Sequence, residues 1–149
     1  MRLEDYLAEN GELTYSNVGN SMMPLLRQHR DLLTVKRKGR QRCRPGDVVL
    51  YRRPSDTNKY ILHRVVRVLP DSYVILGDNC AFKEYGITDS SILGIMTGYV
   101  RRGREHTVND ISYRLYSFYI MHTIPVRTVL KKLIYRAKRL AGRMIYGKK

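Results

Sequence analysis

A chain of 149 residues has the length of one domain with room for an appendage. Its 43% hydrophobic content supports a core and excludes a disordered chain as the default. No window approaches the roughly 20 apolar residues of a membrane-spanning helix. The two cysteines, Cys43 and Cys80, stand too far apart in sequence to suggest a metal spacing or a disulfide framework.

The net charge of +15 is unevenly spread. Residues 126–149 carry nine of the 28 lysines and arginines and none of the 13 acidic residues, and a second basic block is "KRKGRQRCR" at 36–44. Such clusters suit a polyanion, either a nucleic acid or an anionic bilayer, or else stand as solvated faces with no dedicated partner.

In chain order, "LEDYLAEN" predicts a short helix over 3–10, with Leu3, Tyr6 and Leu7 at helical spacing and Gly11 at its end. Its acidic residues stand where a secretory signal would be basic and then apolar. The expectation is therefore no signal peptide and a reducing location, cytoplasmic or peripheral to a membrane. The period then shortens. "ELTYSNV", "DLLTVKR", "GDVVLYRR", "KYILHRVVRV", "DSYVILGD" and "SILGIMTGYVRR" read as strands, separated by turn clusters such as "RPGD", "LPDS", "GDNC" and "YGITDSS". Five or six closely spaced strands imply a mainly β domain over 1–109, an antiparallel sheet or small barrel.

From Asp110 the helical period returns. A helix over roughly Asp110 to Met121, capped by Asp110, precedes a longer one beginning at Pro125. In the longer helix Val126, Val129, Leu130, Leu133, Ile134, Ala137, Leu140, Ala141, Met144 and Ile145 recur every three to four residues, and Arg127, Lys131, Lys132, Arg136, Lys138, Arg139 and Arg143 fill the other face. Residues 110–149 thus read as a basic amphipathic helical tail. Its stripe either covers the β body or meets an anionic membrane surface. No specific nucleic acid is expected as a partner.

One segment, "VGNSMMPLL" at 18–26, builds a turn around a small hydroxyl, Ser21. A serine becomes a nucleophile only beside a proton acceptor. His29 and His106 lie in charged loops and read as surface residues, and His122 reads as packed or interfacial. His63 lies inside a strand-like run, and alternation places it with Ile61 and Val65 on one face and Leu62, Arg64 and Val66 on the other. Burial keeps an imidazole near neutral or below in pKa, as a general base requires. A histidine in a strand also serves as a plain structural residue.

The run "GNSMMP", then "DLLTVKR", "RPGDVV", "LHRVVRV" and "LGDNC", closing on "ILGIM", resembles in order the boxes of the signal peptidase I family, over roughly Val18 to Val100. The resemblance implies a fold of coiled antiparallel sheets and a serine endopeptidase that cleaves leader or signal-like peptides, with Ser21 as nucleophile. His63 stands where the family carries its base, as in the endoplasmic-reticulum and archaeal members. Backbone N–H groups of Asn20 and Ser21 are expected to meet the oxyanion; relatives that add a hydroxyl two residues before the serine differ here, where Gly19 stands. Asp78 of the GDN box, or alternatively Glu84, orients His63, unless Asp78 is a turn residue. Met22 and Met23 line an apolar substrate groove or belong to the core, and Pro24 fixes the turn. Cys80 reads as a small buried hydrophobe near the site. No metal and no cofactor are expected. The repressor-type peptidases share a similar serine box but use lysine. The alternative reading is a non-catalytic basic module of the same fold that binds anionic lipid or nucleic acid.

Overall fold

The computed structural model describes residues 2–16 and 18–146, with side-chain detail for all of these but 57 and 143–146. The expected first strand ran through position 17 to Val18 and the expected tail reached residue 149; position 17, positions 147–149 and the side chains of Arg143, Met144 and Ile145 lie outside the described residues. Helix α1 (Leu3–Asn10) leads into eight strands: β1 (Glu12–Ser16), β2 (Leu32–Arg37), β3 (Val48–Arg53), β4 (Asp56–Val68), β5 (Tyr73–Leu76), β6 (Glu84–Ile87), β7 (Ile92–Arg101) and β8 (Arg104–Thr107). Helices α2 (Ile111–His122) and α3 (Ile124–Tyr146) follow.

The strands pair antiparallel in the order β1-β2-β7-β3-β4-β5-β6, and β8 adds to β7. The protein is mainly β, with two more strands than the pattern suggested. Both extra strands are short and mostly polar or exposed: β6 is "EYGI" and β8 is "REHT". Without an apolar alternation they read as turns.

Strand β3 has both faces buried. Val48 and Leu50 join Met22, Leu25, Leu26, Leu33, Val35 and Leu62 in one core, while Val49 and Tyr51 join Val65, Tyr73, Ile75, Ile87 and Ile92 in the other. A half-turn of pleat per residue produces this split, and each such side chain contributes about 1.5–3 kcal/mol on burial. Strand β4 pairs with β3 from Asp56 through Arg64, but with β5 only from Arg64 to Val68. Among the described residues its earlier half therefore keeps one edge unpaired. The sheet opens at His63, where the pairing to β5 stops.

Arg64, fully buried, ties the layers together. Its guanidinium donates to both oxygens of Asp78 at 2.8 Å, to the Gly46 carbonyl at 2.9 Å and to Ser117 Oγ on α2 at 2.9 Å. With the Tyr116 hydroxyl also donating to Asp78, this buried ion pair seats α2 on the sheet.

The expected capping role of Asp110 is corrected. Its backbone is extended at the α2 N-terminus, but its carboxylate turns back to accept from Thr107 N–H at 3.0 Å and Thr107 Oγ1 at 2.8 Å. The stripe of α3 does not cover the β body. Ile124 and Thr128 are buried on the inner side, whereas Val126, Val129, Leu130, Leu133, Ile134 and Leu140 are 47–71% exposed. No helix among the described residues is long and apolar enough to cross a membrane.

Candidate active site

Ser21 lies in a turn that follows Gly19, whose φ of +92° favours glycine. Met23 N–H donates to the Asn20 carbonyl at 3.2 Å and Leu26 N–H to the Met22 carbonyl at 3.0 Å, which folds the segment back sharply. The turn is anchored from two sides. Apolar Met22, Leu25 and Leu26 sink into the core. Asn79 then grips its outer side: Asn79 N–H donates to the Ser21 carbonyl at 2.7 Å, and Asn79 Nδ2 donates to the Asn20 carbonyl at 3.1 Å. The GDN box thus holds the serine turn through its asparagine.

Gly77, the first residue of that box, sets how closely the turn and strand β4 approach. A methyl group there would stand 2.8 Å from the Ser21 carbonyl oxygen, 2.9 Å from His63 Nε2 and 2.6 Å from Cys80 Sγ. Three chain segments converge on the space left by one missing side chain. Ser21 and His63 then face a common cleft of about 820 Å³, whose walls include Val18, Ile61, Leu62, Ala81 and Phe82. Lys59, Lys83 and Arg53 give the cleft basic groups.

The ring of His63 is almost fully buried, and its two nitrogens have different neighbours. Nδ1 lies 3.2 Å from the Tyr51 hydroxyl and 3.5 Å from Glu84 Oε1. Nε2 is directed to the Gly77–Ser21 side, with Cys80 Sγ 3.9 Å away. The Glu84 carboxylate can only accept and the Tyr51 hydroxyl is free to accept, so both groups facing Nδ1 can take a hydrogen bond from it. They favour the tautomer with the proton on Nδ1 and leave the Nε2 lone pair toward the cleft. Burial lowers the His63 pKa from 6.5; the Glu84 carboxylate partly offsets this, and Arg53 adds to the lowering. Glu84 is itself held ionised, mainly by two hydrogen bonds from Arg53 at 2.8 and 2.5 Å, and its pKa lies below the ordinary value.

These distances correct the preference for Asp78 as the orienting carboxylate. Asp78 is occupied by Arg64 and Tyr116, while Glu84 stands at Nδ1. The reason is the alternation of β4: His63 and Arg64 point to opposite faces, so each meets a different acid. The groove role of Met22, Met23 and Pro24 is also corrected. Met22 is core, Met23 is half-buried and Pro24 is exposed, and the cleft is lined by other residues. The Pro24 and Leu25 carbonyls instead accept from Arg101.

Tyr51 and Arg53 were not singled out from sequence. They sit two residues apart in "GDVVLYRR", where alternation puts both on the His63 face, a signal available once the β3–β4 register is known. Cys80 is half-buried and lines the cleft; burial raises its thiol pKa, which disfavours the thiolate. Among the described residues, no three His, Cys, Asp or Glu side chains converge as metal ligands would. A comparison of the chain with protein-family models, with curated proteins and with solved structures returns no match.

Proposed function

We propose that the protein is a serine endopeptidase similar to the Ser–His members of the signal peptidase I family, cleaving leader or signal-like peptides through an acyl-enzyme. The observation that carries this reading is the convergence at Gly77 of the Ser21 turn and His63 Nε2, with the far nitrogen of the same ring facing Tyr51 and Glu84. In the proposed cycle His63 Nε2 accepts the Ser21 hydroxyl proton as Oγ attacks the peptide carbonyl. The imidazolium is stabilised by Glu84, and the backbone N–H groups of Asn20 and Ser21 are assigned to the oxyanion. His63 then returns the proton to the departing amine. Water, deprotonated by the same ring, releases the acyl group and restores Ser21.

A neutral, buried imidazole suits this role at physiological pH, because no proton must first be shed. The unpaired edge of β4 beside the cleft offers backbone hydrogen bonds to an extended chain, and Val18, Ile61, Leu62 and Ala81 offer apolar contacts to its side chains.

The test is covalent labelling with a fluorophosphonate, followed by mass-mapping of the adduct. Labelling at Ser21 in the wild type, lost in both Ser21→Ala and His63→Ala, is the expected result. A folded wild-type protein that takes no label from mildly acidic to alkaline pH overturns the enzyme reading. It would favour the second reading, a basic binding module of the same fold, for which the acid-free surface of α3 speaks.

A further inference from the structure

We propose that α3 is an in-plane docking helix for an anionic lipid bilayer, seated through the apolar stripe that it turns away from the β body. This does not depend on the peptidase reading.

An ordinary amphipathic helix in a small domain buries its apolar stripe and leaves its charges in water. Helix α3 instead leaves its apolar stripe in water along with its charges. At about 3.6 residues per turn, Ile124, Thr128, Lys131 and Tyr135 fall on one side and Val126, Val129, Leu130, Leu133 and Leu140 on the nearly opposite side. The first side meets the protein through mostly polar contacts. Lys131 Nζ donates to Asn79 Oδ1 at 2.7 Å, and neighbouring Arg127 donates to the Asp78 carbonyl at 2.6 Å. Tyr135 packs edge-on against Phe82, with ring centroids 6.1 Å apart, and Lys132 lies over the same Phe82 ring. The second side, about half exposed or more at every large apolar residue, has no cover among the described residues.

Charge decides the occupant. From Ile111 to Tyr146 the sequence has no acidic residue; Lys132 and Arg136 flank the outward stripe, and Lys138 and Arg139 are exposed nearer the inner side. Two copies of the helix meeting stripe to stripe would bring like charges together without compensation. A bilayer with anionic headgroups accepts the apolar side chains and neutralises the flanking cations at once. Because the inner side of α3 holds the loop of residues 78–82, and Tyr135 itself lines the cleft, docking sets the cleft beside the headgroups.

The experiment is co-sedimentation of the full-length protein with phosphatidylcholine vesicles that do or do not contain phosphatidylglycerol. Binding is expected only with phosphatidylglycerol. The charge-neutral double variant Leu130→Gln/Leu133→Gln, exposed at both positions and so retaining the fold by circular dichroism, should lose tenfold or more in partitioning. Lys132→Glu/Arg136→Glu should weaken it by about fivefold per charge removed, and Ser21→Ala should bind as wild type. Equal partitioning to both vesicles overturns the proposal. So does phosphatidylglycerol binding that survives Leu130→Gln/Leu133→Gln, since simple adsorption of cations, as to RNA, needs no stripe. A wild-type dimer in sedimentation velocity that this double variant dissolves would assign the stripe to a second copy instead.

Discussion

Replacing Gly77 with alanine probes the contact on which the candidate site is built. The added methyl would meet the Ser21 carbonyl oxygen at 2.8 Å, His63 Nε2 at 2.9 Å and Cys80 Sγ at 2.6 Å, where ordinary contacts lie at 3.4–4 Å. The Cys80 thiol can rotate aside. The Ser21 carbonyl cannot yield alone, because it is backbone and is held by Asn79 N–H at 2.7 Å. The turn and the imidazole must therefore separate by roughly half an ångström to one ångström, a typical response to overpacking that costs about 1–3 kcal/mol. Misplacement on that scale lowers a positioned reaction by about 10²-fold. Gly77 does not have a positive φ, so alanine adds no backbone strain there. The assay is the second-order rate of fluorophosphonate labelling at Ser21, with thermal melting measured in parallel. Gly39→Ala, at a position where a methyl meets nothing within 4 Å, is the control and should match wild type in both. A Gly77→Ala protein that labels at the wild-type rate would refute the reasoning, whether or not its melting point falls.

Four other outcomes follow from the same geometry. The labelling rate should rise with pH through the ionisation of His63, with its acid limb below pH 6.5 because burial disfavours the imidazolium. Glu84→Gln removes the carboxylate that raises this pKa and leaves the Arg53 cation that lowers it, so the acid limb should move to lower pH while the maximal rate falls by about 10²-fold or more; a limb that moves up contradicts the assignment of Glu84. Asp78→Ala should cost about 3–5 kcal/mol in denaturant unfolding by stranding the buried Arg64 cation, and Arg64→Met/Asp78→Leu should recover most of it. Cys80→Ala should label within a few-fold of wild type, since its thiol is held protonated by burial; loss of labelling comparable to Ser21→Ala would make Cys80 the reacting group.

Much of the site was legible because its pieces are local. The hydroxyl in "GNSMMP", the histidine in "YILHRVV" and the box "GDN" are each visible within a few residues, and the structure brings all three to one place. What could not be read was which groups stand beside them. Asp78 and Glu84 were both available in sequence, with Asp78 preferred, and only the pleat of β4, pairing His63 with Val49 and sending Arg64 to the opposite face, distributes the acids between the two basic side chains. Tyr51 and Arg53 enter the site across the β3–β4 register, a pairing that local pattern does not specify.

By itself, the sequence determined the short first helix with its glycine stop, the six apolar strands, the two helices near the end and the separation of apolar from basic positions along α3. These follow from periodicity and local backbone preference, which act over a few residues. Tertiary structure alone decided that Met22 enters the core rather than a substrate groove, that the polar strands β6 and β8 pair at all, and that α3 faces the body with its polar side. Each of those outcomes depends on which surfaces meet across long stretches of chain, and burial energy belongs to the meeting surfaces rather than to either segment.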